Sequence, residues 1–343
     1  NLRSHPLLVS FLGVPFIDTR ISFNSFIPKK LDPTIAKKLA NHYLNQLSKN
    51  INHHDKVEFE IIFSCYYFGI EENLQNLKSY GFNDSELFKI KESLLSLTNK
   101  LIDPIKGLYK QDLEKIEILK EKFDDIVNSN LTKIEKIYWL IKDGKRYGTL
   151  PFAGVARAGF VSVQLLKSFV NKNILSEKQY DQFLNSLNTV SKQLSKDRDL
   201  LQKNKFLEKY GHLRPGTYDI LSPRYDEAYD LYFSSDHNDE KKVDDDFSFS
   251  DDQLDKIQLL ISENKLQTNP KKLIQFIVEA IEGREYAKFI FTKSLSKVLK
   301  YIEEFGLKYG FSKDELAHLD IQKVLNLYAT LDHRDVIDIF NFD

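Results

Sequence analysis

Residues 210–225 combine several side chains that bind anions and exchange protons. The stretch reads Tyr-Gly-His-Leu-Arg-Pro-Gly-Thr-Tyr-Asp-Ile-Leu-Ser-Pro-Arg-Tyr. Arg binds carboxylate and phosphate through its planar fork, and His exchanges protons near neutral pH. The Gly and Pro residues exclude a regular helix, which predicts a turn-rich loop suited to a binding or catalytic site. A structural connector whose Arg and Asp side chains pair with each other is the alternative.

Other motifs of enzymes and nucleotide-binding proteins are absent from the sequence. It has no Gly-x-x-x-x-Gly-Lys-Ser/Thr, Gly-x-Gly-x-x-Gly, His-Glu-x-x-His or paired Cys-x-x-Cys. The cluster His53-His54-Asp55 favours a hydrogen-bonded turn over a metal site. The acidic run 234–252 lacks the Gly and terminal Glu of a calcium loop and is predicted to be a mobile surface loop. We therefore predict no metal or cofactor site in this chain.

The elements that must position the loop are mainly helices. Strand-like runs are confined to the start of the chain, at 7–12, 16–23 and 57–63. Helical patterns dominate beyond residue 70, and capping boxes begin at Ser176, Ser250 and Ser312. We predict a mainly α (α+β) protein with a small antiparallel β-sheet near the N-terminus. The predicted organisation is a small β-containing subdomain over 1–70 and a helical domain over 71–343.

Composition indicates a soluble protein of a reducing compartment. Of 343 residues, 49 are Lys or Arg and 50 are Asp or Glu, so no net charge attracts nucleic acid or an anionic membrane. The longest apolar runs are too short for a bilayer span, and no secretory signal opens the chain. The single Cys65 excludes an internal disulfide. We predict a cytoplasmic protein with no nucleic-acid partner and no membrane association.

Four segments together resemble the central domain of a known enzyme family. Residues 210–225 resemble the Gly-His-Arg-Gly-Pro-Gly-Glu…Ser-Pro-Arg pattern of phosphoenolpyruvate synthase and rifampin phosphotransferase. Leu213 and Thr217 stand where those enzymes often have Arg and Glu. The other segments are 18–28, 147–160 and 284–293. In this order the four resemble the pyruvate phosphate dikinase-like subgroup, which includes the L-glutamine kinase of bacterial capsule phosphoramidate synthesis.

The resemblance implies an enzyme of three parts. An N-terminal ATP-grasp-type domain binds ATP and Mg, a C-terminal domain carries a phosphorylated His, and the domain between them binds the phosphoryl acceptor. This chain resembles the middle part, so the other two domains are expected elsewhere on the same polypeptide. The implied reaction converts ATP and L-glutamine to AMP, phosphate and L-glutamine phosphate.

The resemblance also implies roles for the loop residues. An acceptor site needs cations for the phosphoryl group in transfer and fixed donors for the substrate. Arg214 and Arg224 are the predicted cations, and Asp219 would bind the substrate ammonium group. His212, with Arg224, is the predicted catalytic residue and would act as general acid or base; a buried hydrogen-bonded His is the alternative. Two aromatic side chains would wall the pocket: Tyr218 and Tyr225.

Cations outside the loop are also predicted to bind substrate. Arg157 lies among small residues on a predicted helix, with a buried ion pair as the alternative. Arg284, Lys288 and Thr292 recur at i, i+4 and i+8 on one helix face, with a solvated face as the alternative. A lower-ranked set shares one face of the predicted strand 16–23: Arg20, Ser22 and Asn24.

Two functions other than a glutamine kinase fit the sequence. The first is the same architecture acting on pyruvate or another small acceptor, as in phosphoenolpyruvate synthase. The second is a helical interaction module with no chemistry of its own. Binding of L-glutamine, of pyruvate or of neither distinguishes the three.

Overall fold

A computed structural model describes residues 5–12, 14–233 and 246–328 of the chain. Helix accounts for 70% of it, and the predicted mainly α fold with a small N-terminal antiparallel sheet is confirmed. The strands are β1 (Leu8–Phe11) and β2 (Val14–Ile17). The helices are α1 (Thr19–Phe26), α2 (Pro33–Lys49), α3 (Val57–Glu60), α4 (Ile70–Gln75), α5 (Asp84–Leu101), α6 (Leu108–Asn128), α7 (Lys133–Asp143), α8 (Leu150–Asn171), α9 (Glu177–Ser186), α10 (Val190–Leu200), α11 (Lys203–Tyr210), α12 (Tyr229–Phe233), α13 (Asp251–Glu263), α14 (Pro270–Lys308), α15 (Lys313–Ala317) and α16 (Ile321–Asn326).

The N-terminal hairpin is shorter than predicted. Its strands pair Leu8 with Ile17 and extend no further than Ile17. The strand ends there because the Asp18 carboxylate accepts a hydrogen bond from the Ile21 N–H (3.0 Å) and caps α1. The predicted strand face is therefore wrong, since its three members lie on helix α1: Arg20, Ser22 and Asn24.

The predicted strand over 57–63 is also wrong. Residues 57–60 form the short helix α3, and the Ile62 N–H donates to the Val57 carbonyl (3.0 Å). Burial does not alternate along the segment, because Phe59 is 43% exposed whereas the adjacent Ile61 and Ile62 are both buried. The alternating apolar pattern thus reflects packing of an irregular segment against helices rather than one face of a sheet.

Helix starts follow the predicted capping signals. In the boxes at Ser176, Ser250 and Ser312, each Ser Oγ accepts a hydrogen bond from the N–H three residues on (3.2–3.3 Å). The box at Ser250 begins α13 inside the predicted acidic loop 234–252, which therefore ends earlier than predicted. Residues 234–245 of that loop lie outside the described residues.

The chain folds into two compact units that are each discontinuous in sequence. Unit 1 comprises residues 1–108, 157–185 and 246–279, and unit 2 comprises 109–156, 186–245 and 280–343. The predicted boundary at residue 70 lies within unit 1. Helices α8 and α14 contribute residues to both units.

Unit 2, which contains the 210–225 stretch, has two apolar clusters. One joins α7 to the C-terminal half of α14 and includes Ile137, Leu140 and Val298. The other joins α6 to the preceding part of α14 and includes Leu119 and Phe291. Unit 2 also contains three aromatic rings in contact. Tyr138 of α7 stacks on Tyr328 (3.9 Å between ring centroids), and Trp139 lies edge-on to Tyr138 (5.3 Å).

One continuous helical run, Lys133–Asn171, is long and apolar enough to cross a membrane by length and composition. Charged residues interrupt the run, among them Arg157 and Lys167, so it is not an uninterrupted apolar stretch. Of its most apolar window, 44% is buried inside the protein, and Val161, Leu165 and Phe169 are completely or almost completely inaccessible. A core helix passes the same test of length and composition, and these three side chains show that part of the run is buried inside the protein.

Gly148 lies where a π-helical turn (Gly144–Thr149) approaches α14 closely. A Cβ atom added there would lie 2.9 Å from the Phe291 Cβ and 3.0 Å from a methyl carbon of Leu119. We expect Gly148→Ala to lower the free energy of unfolding by about 1–3 kcal/mol through overpacking. Gly144→Ala is the matched control, because no described atom lies within 4 Å of its added Cβ; we expect a gain of up to about 1 kcal/mol. Urea unfolding measures both, and equal effects would contradict the packing argument.

Candidate functional site

The 211–228 loop connects α11 to α12 in unit 2 and is held by its own hydrogen bonds. The Tyr225 N–H donates to the Leu213 carbonyl (2.8 Å), and the Asp226 N–H donates to the Gly211 carbonyl (3.1 Å), so the ends of the loop run side by side. Between them, the Gly216 N–H donates to the Ser222 hydroxyl (3.0 Å). The predicted turn-rich loop is therefore present, with a defined backbone that can position side chains.

His212 lies at the base of this loop and is 7% exposed. Its ring packs edge-to-face on Phe289 (4.8 Å between centroids), and its buried Nε2 has no hydrogen-bond partner among the described residues. Burial, followed by the charges of Lys293 and Arg224, lowers the pKa of His212 to about 3. Hydrogen bonds to the backbone of Phe289 and Lys209 oppose this shift. Because Nε2 is the ring nitrogen without a partner, we assign the ring proton to Nδ1, and Nε2 then presents a lone pair.

Arg214 is the second buried polar side chain of the loop, at 8% exposed. Its Nη1 donates to the Asp219 carbonyl (3.1 Å), whereas its buried Nε has no partner in the described parts of the chain. Burial lowers the pKa of the guanidinium, and the Glu227 carboxylate opposes this shift. The side chain therefore remains a cation that retains an N–H donor for a ligand.

Arg224 is bound within the loop. Its Nε and Nη2 donate to the two carboxylate oxygens of Asp226, and its side chain is 13% exposed. This bidentate pair corresponds to the alternative of an Arg–Asp pair within a connector, with Asp226 as the partner. Asp219, the predicted ammonium ligand, is exposed and accepts a hydrogen bond from the Leu221 N–H (2.8 Å), which stabilises a turn.

Comparison of Arg224→Ala with Asp226→Ala separates a catalytic role for Arg224 from a structural one. If the chain is part of a phosphotransferase, as the family resemblance implies, and Arg224 acts through its charge, we expect Arg224→Ala to abolish phosphorylation with the domain still folded. Asp226→Ala, which leaves the cation in place, should then retain activity within about tenfold. Equal losses of activity and of thermal stability in both variants would show that the pair serves only to hold the loop.

The two predicted pocket aromatics differ in their surroundings. Tyr218 is 73% exposed. Tyr225 packs against Tyr232 and Phe233 (5.1 and 4.9 Å between ring centroids), and burial raises the pKa of its hydroxyl. The structure therefore brings Tyr225 into an aromatic cluster beside the loop and leaves Tyr218 at the surface.

On α14, a different face from the predicted one lies near the loop. Arg284 and Lys288 are exposed, and the buried Thr292 hydroxyl donates to the Lys288 carbonyl (2.8 Å). Three lysines of α14 interact with the loop, and sequence reasoning missed them: Lys293, Lys297 and Lys300. Their spacing of i, i+4 and i+7 marks one helix face and was the available signal.

An ion-pair network fixes the C-terminal end of the loop to this face. The Lys300 ammonium binds Glu227 (2.7 Å) and Glu303 (3.3 Å), and the other Glu227 oxygen accepts a hydrogen bond from the Arg224 N–H (3.1 Å). Burial opposes ionisation of Glu227, but these hydrogen bonds, that of Lys300 first, lower its pKa to about 2. Lys300 is therefore neutralised by carboxylates and serves to position the loop.

Arg157 belongs to unit 1. Its guanidinium lies 4.5 Å from the Phe26 ring centroid and donates to the Ser25 hydroxyl (3.3 Å). Burial lowers its pKa, against the charge of Glu58. Arg157 thus has contacts of its own in that unit, and the candidate site consists of unit 2 residues.

Comparisons with known proteins add no relatives. No family model, curated protein or solved structure matches the chain. Within the described ranges, no three His, Cys, Asp or Glu side chains are grouped to hold a metal ion. The function of the site is therefore inferred from its own side chains and their spacing.

Protonation of His212 is expected to destabilise the protein below neutral pH. A His has a pKa of about 6.5 in an unfolded chain; in the folded protein the pKa of His212 is about 3. The unfolded state therefore binds the additional proton, and stability falls as the pH drops from about 6.5 towards 3. Between neutral pH and about pH 5, the wild type should lose about 2 kcal/mol more than His212→Asn.

The pH window above about 5 keeps the titration of Glu227, with its pKa lowered to about 2, out of this measurement. His54→Asn is the control, because His54 is exposed in the turn after α2. Urea unfolding at a series of pH values should give parallel curves for the wild type and the control. A wild-type curve parallel to that of His212→Asn would refute a buried neutral His212.

Proposed function

We propose that this chain is the acceptor-binding part of an ATP-dependent phosphotransferase that works through a phosphohistidine, with L-glutamine as the acceptor. One observation carries the proposal: His212 Nε2 and Arg214 Nε are both buried, stand two residues apart on one loop, and have no partner among the described residues. A buried polar group without a hydrogen bond costs about 1–3 kcal/mol. Such a cost is tolerated at sites where a ligand supplies the missing bond.

The two nitrogens are complementary to a carboxamide. Arg214 Nε–H is a donor and suits a carbonyl or carboxylate oxygen, whereas the His212 Nε2 lone pair suits an N–H group. The side chain of L-glutamine offers both an oxygen and an N–H, but pyruvate offers oxygens alone. The pairing therefore favours glutamine over pyruvate as the acceptor.

The surrounding charges suit phosphoryl transfer. In the proposed reaction, the P–N bond of the phosphohistidine breaks as a bond forms from phosphorus to the acceptor, and the acceptor loses a proton. Lys293, whose charge acts on His212, would stabilise the negative oxygens of the group in transfer, whereas Asp226 already neutralises Arg224. The negative charge of the group would offset that of Lys293 and raise the pKa of His212, which makes it a better proton acceptor during transfer.

The proposed full enzyme takes ATP and Mg on its N-terminal domain and carries the mobile His on its C-terminal domain. A cytoplasmic location is part of the proposal. It is supported by Cys65, the single cysteine of this sequence, because a chain without an internal disulfide fits a reducing compartment. Cell fractionation of the complete protein tests the location, and recovery from an oxidising compartment would overturn it.

Calorimetry of this chain with L-glutamine, L-glutamate, pyruvate and L-leucine tests the acceptor. We expect L-glutamine to bind at least about tenfold more tightly than L-glutamate, which lacks the amide N–H. Tighter binding of pyruvate would favour a phosphoenolpyruvate synthase-like enzyme. If none of them binds, and the complete gene product does not convert ATP to AMP with any amide or keto acid, an interaction module is favoured.

A further inference from the structure

Three side chains on one face of α14 carry hydrogen-bond donors that could bind an anion: Lys293, Ser296 and Lys297. Ser296 is i+3 from Lys293, and Lys297 is i+4 from it, so the three project from the same side of the helix. The ion pair between Lys300 and Glu227 (2.7 Å) joins this face to the 211–228 loop, and the charges of Lys293 and Lys297 act on His212 and on Arg224 there. Ser296 is 3% exposed, and its hydroxyl has no partner within the described chain.

Neither lysine forms an ion pair. Across the described residues, no carboxylate oxygen lies within 4.0 Å of the Lys293 or Lys297 ammonium, although the charges of Glu304 and Asp226 act on Lys297 from further away. Their ammonium groups instead lie over aromatic rings, at 4.7 Å from the Phe123 centroid and 4.8 Å from the Tyr301 centroid. A ring face does not neutralise a cation. Lys300, one turn further on, differs because it binds two carboxylates.

Neighbouring positive charge makes this face unusual for a structural surface. Burial, and then the charge of Arg224, lowers the pKa of Lys297, and the carboxylates of Glu304 and Asp226 oppose this shift only in part. Arg214 and His212, whose Nε2 has no partner among the described residues, lie on the 211–228 loop, in the same unit as this part of α14. A cluster of cations beside a buried hydroxyl donor matches the oxygens of a tetrahedral oxyanion.

We propose that Lys293, Ser296 and Lys297 bind the phosphoryl group itself, as a tetrahedral dianion. The inference rests on the proposed function and divides its site in two: the loop nitrogens hold the acceptor, and this helix face holds the phosphoryl oxygens. The two lysines supply charge, and the Ser296 hydroxyl supplies a directed donor. The same chemistry would bind inorganic phosphate, which serves as the probe.

Calorimetric titration of this chain with inorganic phosphate tests the face directly. We expect Lys297→Gln to weaken phosphate binding about tenfold and Ser296→Ala about fivefold, as for the loss of one charge-assisted hydrogen bond each. Ser296→Ala should also leave the thermal midpoint unchanged or raise it, because it removes a buried hydroxyl without a partner among the described residues. Lys308→Gln, an exposed position on the same helix, should bind phosphate as the wild type does.

The position of the bound phosphate has a separate readout in the NMR titration of His212. A dianion beside Lys293 should raise the pKa of the His212 ring above about 3, and Lys297→Gln should reduce that shift. Absence of phosphate binding, or equal weakening in Lys297→Gln and Lys308→Gln, would overturn the inference. Binding of L-glutamine without binding of phosphate would overturn this inference alone. Binding of phosphate without any acceptor, together with a complete gene product that forms no AMP from ATP, would overturn the proposed function.

Discussion

Replacement of Asp197 by Ala is expected to lower the free energy of unfolding by about 3 kcal/mol. Asp197, on α10, is 7% exposed and accepts hydrogen bonds from Lys209 (2.7 Å), from the Tyr210 hydroxyl (2.8 Å) and from Gln193 (2.8 Å). Burial opposes its ionisation, but these bonds hold its pKa below the usual value. Ala would remove the acceptor of the buried Tyr210 O–H, whose oxygen would keep only its bond from Lys209, and this accounts for much of the loss.

The matched control is Asp199→Ala, two residues further along α10. Asp199 is 64% exposed at its side chain and pairs with its neighbour Arg198 (3.3 Å), so we expect a change below about 0.5 kcal/mol. Urea unfolding at neutral pH measures both variants. Similar small losses in the two would show that the Asp197 network is not a buried structural unit. Because Tyr210 immediately precedes the 211–228 loop, ligand binding should weaken with Asp197→Ala.

Arg214→Lys is expected to weaken L-glutamine binding about a hundredfold, which corresponds to about 2.7 kcal/mol. Lys keeps the positive charge but loses both the Nε donor and the planar fork, so the effect isolates hydrogen-bond geometry from charge. The loss lies within the range for a hydrogen bond to a charged group, about 1.5–3 kcal/mol. Calorimetry with L-glutamine measures the affinity.

Stability provides the control for Arg214→Lys. The substitution removes one hydrogen bond within the loop, from Arg214 to the Asp219 carbonyl. We therefore expect the free energy of unfolding to fall by no more than about 1.5 kcal/mol. If Arg214→Lys binds L-glutamine with the affinity of the wild type, Arg214 does not contact the ligand. A large loss of stability with no separate effect on affinity in the folded fraction would assign it to loop structure.

Local signals in the sequence were sufficient to predict where several helices begin and where the 211–228 loop interrupts them. The Ser residues at 176, 250 and 312 each cap a helix, because the donor they satisfy is only three residues away. Gly and Pro interrupt the helical pattern at the 211–228 loop for equally local reasons. The prediction of a strand over 57–63 was wrong because burial in this segment depends on residues distant in sequence. Such burial does not have to follow a period of two.

The partners within the candidate site could not be predicted from the sequence. Arg224 binds Asp226 because of the path of the loop backbone, and no spacing rule fixes that path. On α14 the sequence offers two basic faces, and the choice between Lys288 and Lys293 depends on where the loop packs. His212 and Arg214 were predicted as residue types, but the burial that leaves one nitrogen of each without a partner among the described residues appears only in three dimensions.

Trp139 gives the protein an internal optical reporter. It is the one tryptophan of the chain, it lies on α7 in unit 2, and it is 40% exposed beside Tyr138 and Tyr328. Its emission therefore follows the unfolding of unit 2, whereas far-ultraviolet circular dichroism follows the helices of both units. Coincidence of the two transitions would show that the units unfold together, and a separation between them would give each unit its own stability.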